Sequence, residues 1–492
     1  MSNDIGMEFG LSKCQCINMV NGRYKKTGDI VLQSGGVMTE VDENGQYKYL
    51  GIEELDSIRH DKVKDKVSAK VKSKLRKLLG SELNARNLFQ AINESILPLI
   101  SYSFGVVNWN EDELKGYDTK IRKMLNMYRV FELKSDVDRL YLPREKGGRG
   151  LISVWDSFQS STSRIAHALI NTDNQILQQC IDIEKKSLYS NQSRSAKYEN
   201  KVAIEIPKGF DEKDIMSQAR IKACLMKQAI SKDREQSYLD KPQHGAFVRL
   251  LEKSDADLKL SMAWLKNCYL DPHTESYICA AQELALFTKY HEKHILKTTN
   301  DDLCRVCKKD PETIFHILGA CDALAKREYF TRHNNICKYV HYKILKHYHI
   351  EVGDNWYKHN PPEVVTKNKV EVIYDQTILT TRPVGANRPD ILIKDLGNKK
   401  AFIIDISCPV DTNVGKKETE KIAKYGPLSV EAERMWGLKT HIIPVIVGGL
   451  GAVTKNLGDN LLKIPGCPDA YMCQKISLLG SKKILHDVLR RR

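Results

Sequence analysis

The chain has 492 residues, 13 cysteines and a formal net charge of +15. That length implies several domains, the charge favours a polyanionic partner, and an odd number of scattered cysteines argues against a secreted disulfide scaffold. No stretch is long and apolar enough to span a membrane, and the N-terminus carries no signal-peptide pattern.

In chain order, the first marks are Phe9-Gly10-Leu11-Ser12-Lys13-Cys14 and Tyr47-Lys48-Tyr49-Leu50-Gly51-Ile52, two short apolar segments, each carrying a glycine. A long helix is expected between Arg59 and Leu79. Val63, Val67, Val71 and Leu75 recur every fourth residue as its apolar stripe, with Lys62, Lys66, Lys70 and Lys74 beside them. Lys64, Lys72, Arg76 and Lys77 add charge beyond what solubility needs. The helix is therefore either a core-packed element with a solvated basic face or one that also contacts phosphates. Helical pattern continues over 84–100, with a break at Pro98, and over 112–131.

The loop Pro143-Arg144-Glu145-Lys146-Gly147-Gly148-Arg149-Gly150 is basic and glycine-rich. It lacks the spacing of either nucleotide-binding glycine motif, so it reads as a flexible turn. From 161 to 300 the chain is charged and mostly helical, with a polar loop or linker expected at 187–200 and an amphipathic helix over 280–293.

Cys304, Cys307, His316 and Cys321 follow as C-x2-C-x8-H-x4-C. Three thiolates and an imidazole in one short segment suit a closed tetrahedral Zn²⁺ site with a structural role, the alternative being free thiols that are neighbours only in sequence.

Two apolar runs, 388–396 and 399–407, flank Gly397-Asn398 and read as a hairpin. Pairing symmetric about that turn places Asp390 opposite Asp405 on one sheet face, with Cβ atoms about 5 Å apart. Like charges so placed call for a cation between them, and Mg²⁺ suits one or two carboxylates. A slip of one residue would send them to opposite faces. Next comes a helix from Thr412 to Tyr425 carrying Lys417, Lys421 and Lys424 on one face, ended by Gly426-Pro427, and then a buried strand over 440–448. Strand, helix and strand in that order imply an α/β crossover. A lysine of that helix either reaches the acids, where its charge would serve phosphodiester hydrolysis, or belongs to a solvated basic face.

Pro389-Asp390, Asp405 and Lys421-Ile422-Ala423-Lys424-Tyr425 together resemble the restriction-like endonuclease of site-specific non-long-terminal-repeat retrotransposons, a branch of the PD-(D/E)xK superfamily. The resemblance implies Asp390 and Asp405 as Mg²⁺ ligands, Lys421 as catalytic and Lys424 in support, with Asp375 near the site. The lysine that the superfamily places two residues after the second acid is absent, since Ser407 stands there. In that branch the lysine comes from the following helix, which leaves Lys421 and Lys424 unranked.

The knuckle, the tract Tyr329-Phe330-Thr331-Arg332-His333-Asn334 and the segment over 280–293 are similar to what precedes that endonuclease in the family. The two N-terminal marks resemble the last motifs of a reverse-transcriptase palm, with Lys13 as the palm lysine and Leu50-Gly51 as the primer-grip turn. The implied organisation is an α+β multidomain chain: a palm remnant (1–55), a helical thumb (56–160), a basic helical linker (161–300), the zinc knuckle (301–345) and an α/β restriction-like nuclease (346–492). Lys62, Lys66, Lys70, Lys74, Arg76 and Lys77 would track the template–primer duplex, and Arg144 and Arg149 would contact a strand at the loop closing the thumb.

The aspartate pair that polymerase chemistry needs would lie upstream of such motifs, and Asp301-Asp302 has no flanking strand. The resemblance thus implies a C-terminal part, or a truncated product, of a larger element-encoded protein. It would nick target DNA in the nucleus after cytoplasmic synthesis and hold element RNA or an RNA–DNA duplex, without polymerising. A non-catalytic RNA- or DNA-binding relic is the alternative, and self-association stays open.

Overall fold

The computed structural model describes residues 14–32, 35–41, 47–54, 57–202, 204–211 and 213–491. It is a mixed α and β structure that divides into two compact units. One takes the residues up to Ser81 with Ala91–Ile121 and Ile152–Ile230; the other takes Glu82–Gln90, Arg122–Leu151 and Ser231–Arg492. The expected segments 301–345 and 346–492 both fall in the second unit, and 161–300 is divided at Ile230.

In the first unit, Tyr47–Tyr49 and Ile52–Glu54 form a hairpin that turns at Leu50 and Gly51, whose φ angles are 47° and 86°. Two successive residues at positive φ make the turn whose twist matches its strands. Phe9 to Lys13 lie outside the described residues. Helix α1 (His60–Leu79) buries Val63, Val71, Leu75 and Leu79, while Val67 is half-buried. Phe104 meets Phe158 edge-on at 5.0 Å and Trp109 meets Tyr117 at 5.7 Å, so aromatic contacts fill part of this core. The polar stretch at 187–200 is not a loop: Asn191–Glu199 is helical. Ser190 caps its start, and Glu199 gathers the Ser163 and Ser195 hydroxyls and the Lys222 ammonium, which satisfies the polar groups helix formation would otherwise strand.

The second unit is built on a five-stranded sheet. Strands β1 (Val364–Lys367), β2 (Val370–Tyr374), β3 (Ile391–Asp395) and β4 (Lys400–Ser407) form an antiparallel meander, and β5 (Lys439–Ile446) lies parallel to β4 at the edge. A parallel neighbour needs a crossover, supplied by the long helix Val414–Trp436. Helix α2 (Phe330–His347) packs on one sheet face, where Ile391, Ile393, Phe402, Ile404 and Ile406 point. The crossover helix, α3, covers the other face through Tyr425 and Leu428 against Leu392 and Ile403. Helix α4 (Ala470–Leu489) joins α2 on its face through Cys473 and Ile476. Burial on both faces explains why β3 and β4 read as continuous apolar runs rather than alternating ones.

Four further local expectations differ from what forms. The hairpin loop is four residues, Leu396 to Lys399; Asp395 accepts the Asn398 amide at 2.9 Å, and Lys399 rather than Gly397 takes positive φ. Gly426-Pro427 does not end α3, which runs on to Gly437 at φ 62°. A mid-helix proline forfeits one hydrogen bond, and here Tyr425, Leu428 and Ala432, all buried, hold the helix through that point. The loop at 143–150 is packed rather than free: a Cβ on Gly148 would fall 2.1 Å from the Leu142 carbonyl oxygen. The helix expected over 280–293 stops after Gln282 because Leu284 turns left-handed, and a short helix restarts at Lys289 behind the Thr288 cap.

Candidate functional site

The β3–β4 register pairs Ile391 with Ile404 and Leu392 with Ile403, the expected alignment, and its last pair adjoins Asp390 and Asp405. Asp405 follows Ile403 by two positions and so faces α3. Lys421 Nζ stands 2.6 Å from its Oδ2, a close charge contact. That oxygen is nevertheless buried with no aligned hydrogen-bond donor. Lys424 donates instead to the Tyr425 hydroxyl at 3.0 Å, and that hydroxyl donates to the Arg388 carbonyl at 3.0 Å. Burial first, and then the charge of Asp405, pushes the Tyr425 phenol far up. Lys417 pairs with Glu420 at the surface.

Asp390 lies in the bend before β3. Its Oδ2 accepts the Ile406 amide at 2.6 Å and sits 3.2 Å from His333 Nε2, on α2. The same His333 nitrogen is 3.1 Å from the Ile406 carbonyl, and Nδ1 is 3.0 Å from Asn334 Oδ1. Burial works against charge on this imidazole, but the Asp390 carboxylate outweighs it and holds the pKa up at about 9. Each acid thus has its own cation, Lys421 for Asp405 and His333 for Asp390, so the predicted repulsion is relieved. Asp375 adjoins: its amide donates to the Asp390 carbonyl at 2.9 Å, and its carboxylate pairs with Arg388. One carboxylate oxygen of Asp405 is thus buried against Lys421 without an aligned hydrogen-bond donor.

A second constellation lies in the same unit. The ligand atoms of Cys304, Cys307, His316 and Cys321 all lie within 4.8 Å of one another, and this group could hold a metal ion such as Zn²⁺. Thr313 caps Ile314–Gly319 and so fixes the turn that presents His316. Its Nε2 is 3.3 Å from Cys307 Sγ. Burial raises the Cys307 thiol, but the Asp310 and Lys309 amides and His316 bring it down to about 6; burial and the neighbouring Cys304 push Cys321 up to about 12. Cys304 and Cys321 are buried in one apolar cluster with Ile314, Ile317, Leu318 and Leu324. Three sulfurs and one imidazole fill a tetrahedron and leave no position for water, which fits a structural ion.

No protein-family model matches this chain, and no curated protein matches it.

The candidate nucleic-acid contacts separate into two groups. Lys62, Lys66, Lys70, Lys74, Arg76 and Lys77 are exposed on α1. Lys66, Lys70 and Lys74 border a cleft of about 770 Å³ floored by Val63, Val67 and Pro98. Arg144 and Arg149 do not belong with them. Both are buried and converge on Glu275: Arg144 Nη1 is 2.7 Å and Arg149 Nε 3.0 Å from its carboxylate oxygens. The Arg149 guanidinium also lies 4.7 Å over the Phe89 ring. These arginines hold the loop to the second unit's core and are buried away from any phosphate, and the carboxylate between the two guanidiniums makes such burial tolerable.

Sequence reasoning left His333 and Cys337 without roles. They sit four residues apart on α2, and His333 Nδ1 is 3.6 Å from Cys337 Sγ. A His-x3-Cys on a helical stretch was the available signal. Arg332, beside them, is buried and ties together the Leu318 and Cys408 carbonyls and the Ser481 hydroxyl.

Proposed function

We propose that this chain is a metal-dependent DNA endonuclease that nicks target DNA for target-primed reverse transcription, as part of a retrotransposon protein of the restriction-like endonuclease type. What supports the reading is the β3–β4 register, whose last pair, Ile391 with Ile404, adjoins Asp390 and Asp405, together with Lys421 2.6 Å from Asp405. Asp390 and Asp405 would hold Mg²⁺, which when bound supplies Lewis acidity at a phosphodiester. Lys421, already beside the buried acid, supplies positive charge where the pentavalent phosphate accumulates negative charge. Lys424 acts at one remove, through the Tyr425 hydroxyl that it shares with the Arg388 carbonyl. Water attacks phosphorus, the P–O3′ bond breaks, and the freed 3′ hydroxyl can prime synthesis. Zn²⁺ in the Cys304–Cys307–His316–Cys321 group is structural, and the exposed lysines of α1 contact the phosphate backbone of DNA, element RNA or their hybrid. Such a protein acts in the nucleus.

The test is conversion of supercoiled plasmid to open circles with Mg²⁺ or with EDTA. Nicking should require Mg²⁺ and should fall by at least about a thousandfold in Asp405→Ala, with DNA affinity nearly unchanged. Tight binding without nicking by the unmodified chain would replace this reading with that of a non-catalytic nucleic-acid-binding module.

A further inference from the structure

Asp390 belongs to a second donor set that the nuclease reading does not use. His333 and Cys337 come from consecutive turns of α2, and Asp390 approaches them from the start of β3. One ligand atom from each of the three lies within 4.8 Å of the others. Sγ of Cys337 is 3.6 Å from one ring nitrogen of His333 and 3.8 Å from the other, and Asp390 Oδ2 is 3.2 Å from Nε2. The thiol is buried, while His333 and Asp390 are only partly so and open the cluster to solvent.

We propose that His333, Cys337 and Asp390 form a second transition-metal site, taking an ion of the Zn²⁺ or Co²⁺ class with one position left for water. The donor chemistry selects the ion. Thiolate and imidazole are borderline to soft ligands, preferred by Zn²⁺ and shunned by Mg²⁺, which keeps to oxygen. One thiolate, one imidazole and one carboxylate complete three corners of a tetrahedron, the composition of an open rather than a closed zinc site. Residues at i and i+4 on one helix face present donors to a common ion with little rearrangement. Burial and the nearby carboxylates keep the Cys337 thiol protonated in the metal-free chain. Coordination displaces that proton and the one His333 shares with Asp390, so binding releases both to solvent.

The site differs from the four-ligand group at Cys304, with which it shares no residue, and it stands whether or not the chain cleaves DNA. If the nuclease reading holds, the site also has a consequence: an ion held here engages Asp390 and takes it from the Mg²⁺ pair, so zinc would switch the nuclease off.

Metal content of the full-length chain, dialysed against buffered free Zn²⁺, measures the first claim. The unmodified chain should carry a second equivalent of zinc that Cys337→Ser and His333→Gln both lose, each variant keeping the first equivalent and its thermal midpoint. Loss of one inner ligand should weaken the second site by more than the roughly 10- to 100-fold seen when an outer partner is removed. Cobalt added to chain that carries only the first equivalent of zinc should give a thiolate-to-metal charge-transfer band that Cys337→Ser abolishes. A single equivalent in the unmodified chain overturns the proposal, and so does a second equivalent retained in both variants. The nicking assay at fixed Mg²⁺ forms a separate arm: zinc should inhibit the unmodified chain and spare Cys337→Ser. Absence of nicking at any zinc concentration would count against the nuclease reading and leave the metal count to decide the site.

Discussion

His341 lies two turns beyond His333 on the same face of α2 and shows how strongly burial can act on one residue. Its Nδ1 is 2.8 Å from His359 Nε2, the two rings stack, and its Nε2 is buried without a hydrogen-bond partner. Burial, and then the neighbouring His359, hold its pKa down at about 3. The unfolded chain binds a proton here below pH 6.5 and the folded one does not. The stability that depends on neutral His341 is therefore full above pH 6.5 and is lost as pH falls from there toward 3. One such group contributes a slope of about 1.4 kcal/mol per pH unit. Urea unfolding at several pH values should show a gradient shallower by about one proton in His341→Phe than in the unmodified chain. Equal gradients would mean that His341 is protonated in the fold. Arg144 and Arg149 carry the same lesson at the other sign: their charge was legible in the sequence, but the Glu275 that buries them is more than a hundred residues away, and counting charges cannot reveal such a partner.

At the scale of elements, the parts read correctly from the sequence are those decided by neighbours. The β3–β4 register was legible because two apolar runs flank a short polar loop, and in a hairpin the loop fixes which residues pair. The stripe of α1 was legible from its period. The His333–Asp390 contact was not, because it spans 57 residues and joins two elements that meet only through the sheet. Helix α3 was misjudged for a related reason: Gly-Pro is a strong local stop, but packing against β3 and β4 overrides it. That override has a cost. A proline in a helix interior is about 3 kcal/mol less favourable than alanine, part of which a helix adapted to it recovers. Pro427→Ala should therefore stabilise the second unit by roughly 1 kcal/mol or more, seen as a higher urea midpoint at constant slope. A destabilised variant would mean that α3 needs the proline's restricted backbone to bring Lys421 and Tyr425 onto the sheet.

For the whole molecule the governing quantity is the net charge of +15, which constrains partners rather than fold. Much of the basic charge is paired inside the chain: Lys64 with Glu113, Lys241 with Asp136 and Asp138, Arg305 with Glu312. Charge in such pairs is poorly placed to displace counterions from a nucleic acid. Lys62, Lys66, Lys70, Lys74, Arg76 and Lys77 are exposed along one helix, α1. If that row contacts phosphates, affinity for duplex DNA falls with salt, and each contact adds roughly 0.9 to the slope of log affinity against log salt. Lys66→Gln, Lys70→Gln and Lys74→Gln combined should reduce that slope by about 2 to 3 and weaken binding of all sequences alike. Arg149→Gln, which removes a buried charge, should leave the slope unchanged and lower the thermal midpoint instead. The two variants separate surface charge from buried charge in a single titration. A slope unaffected by the triple substitution would move the phosphate contacts off α1.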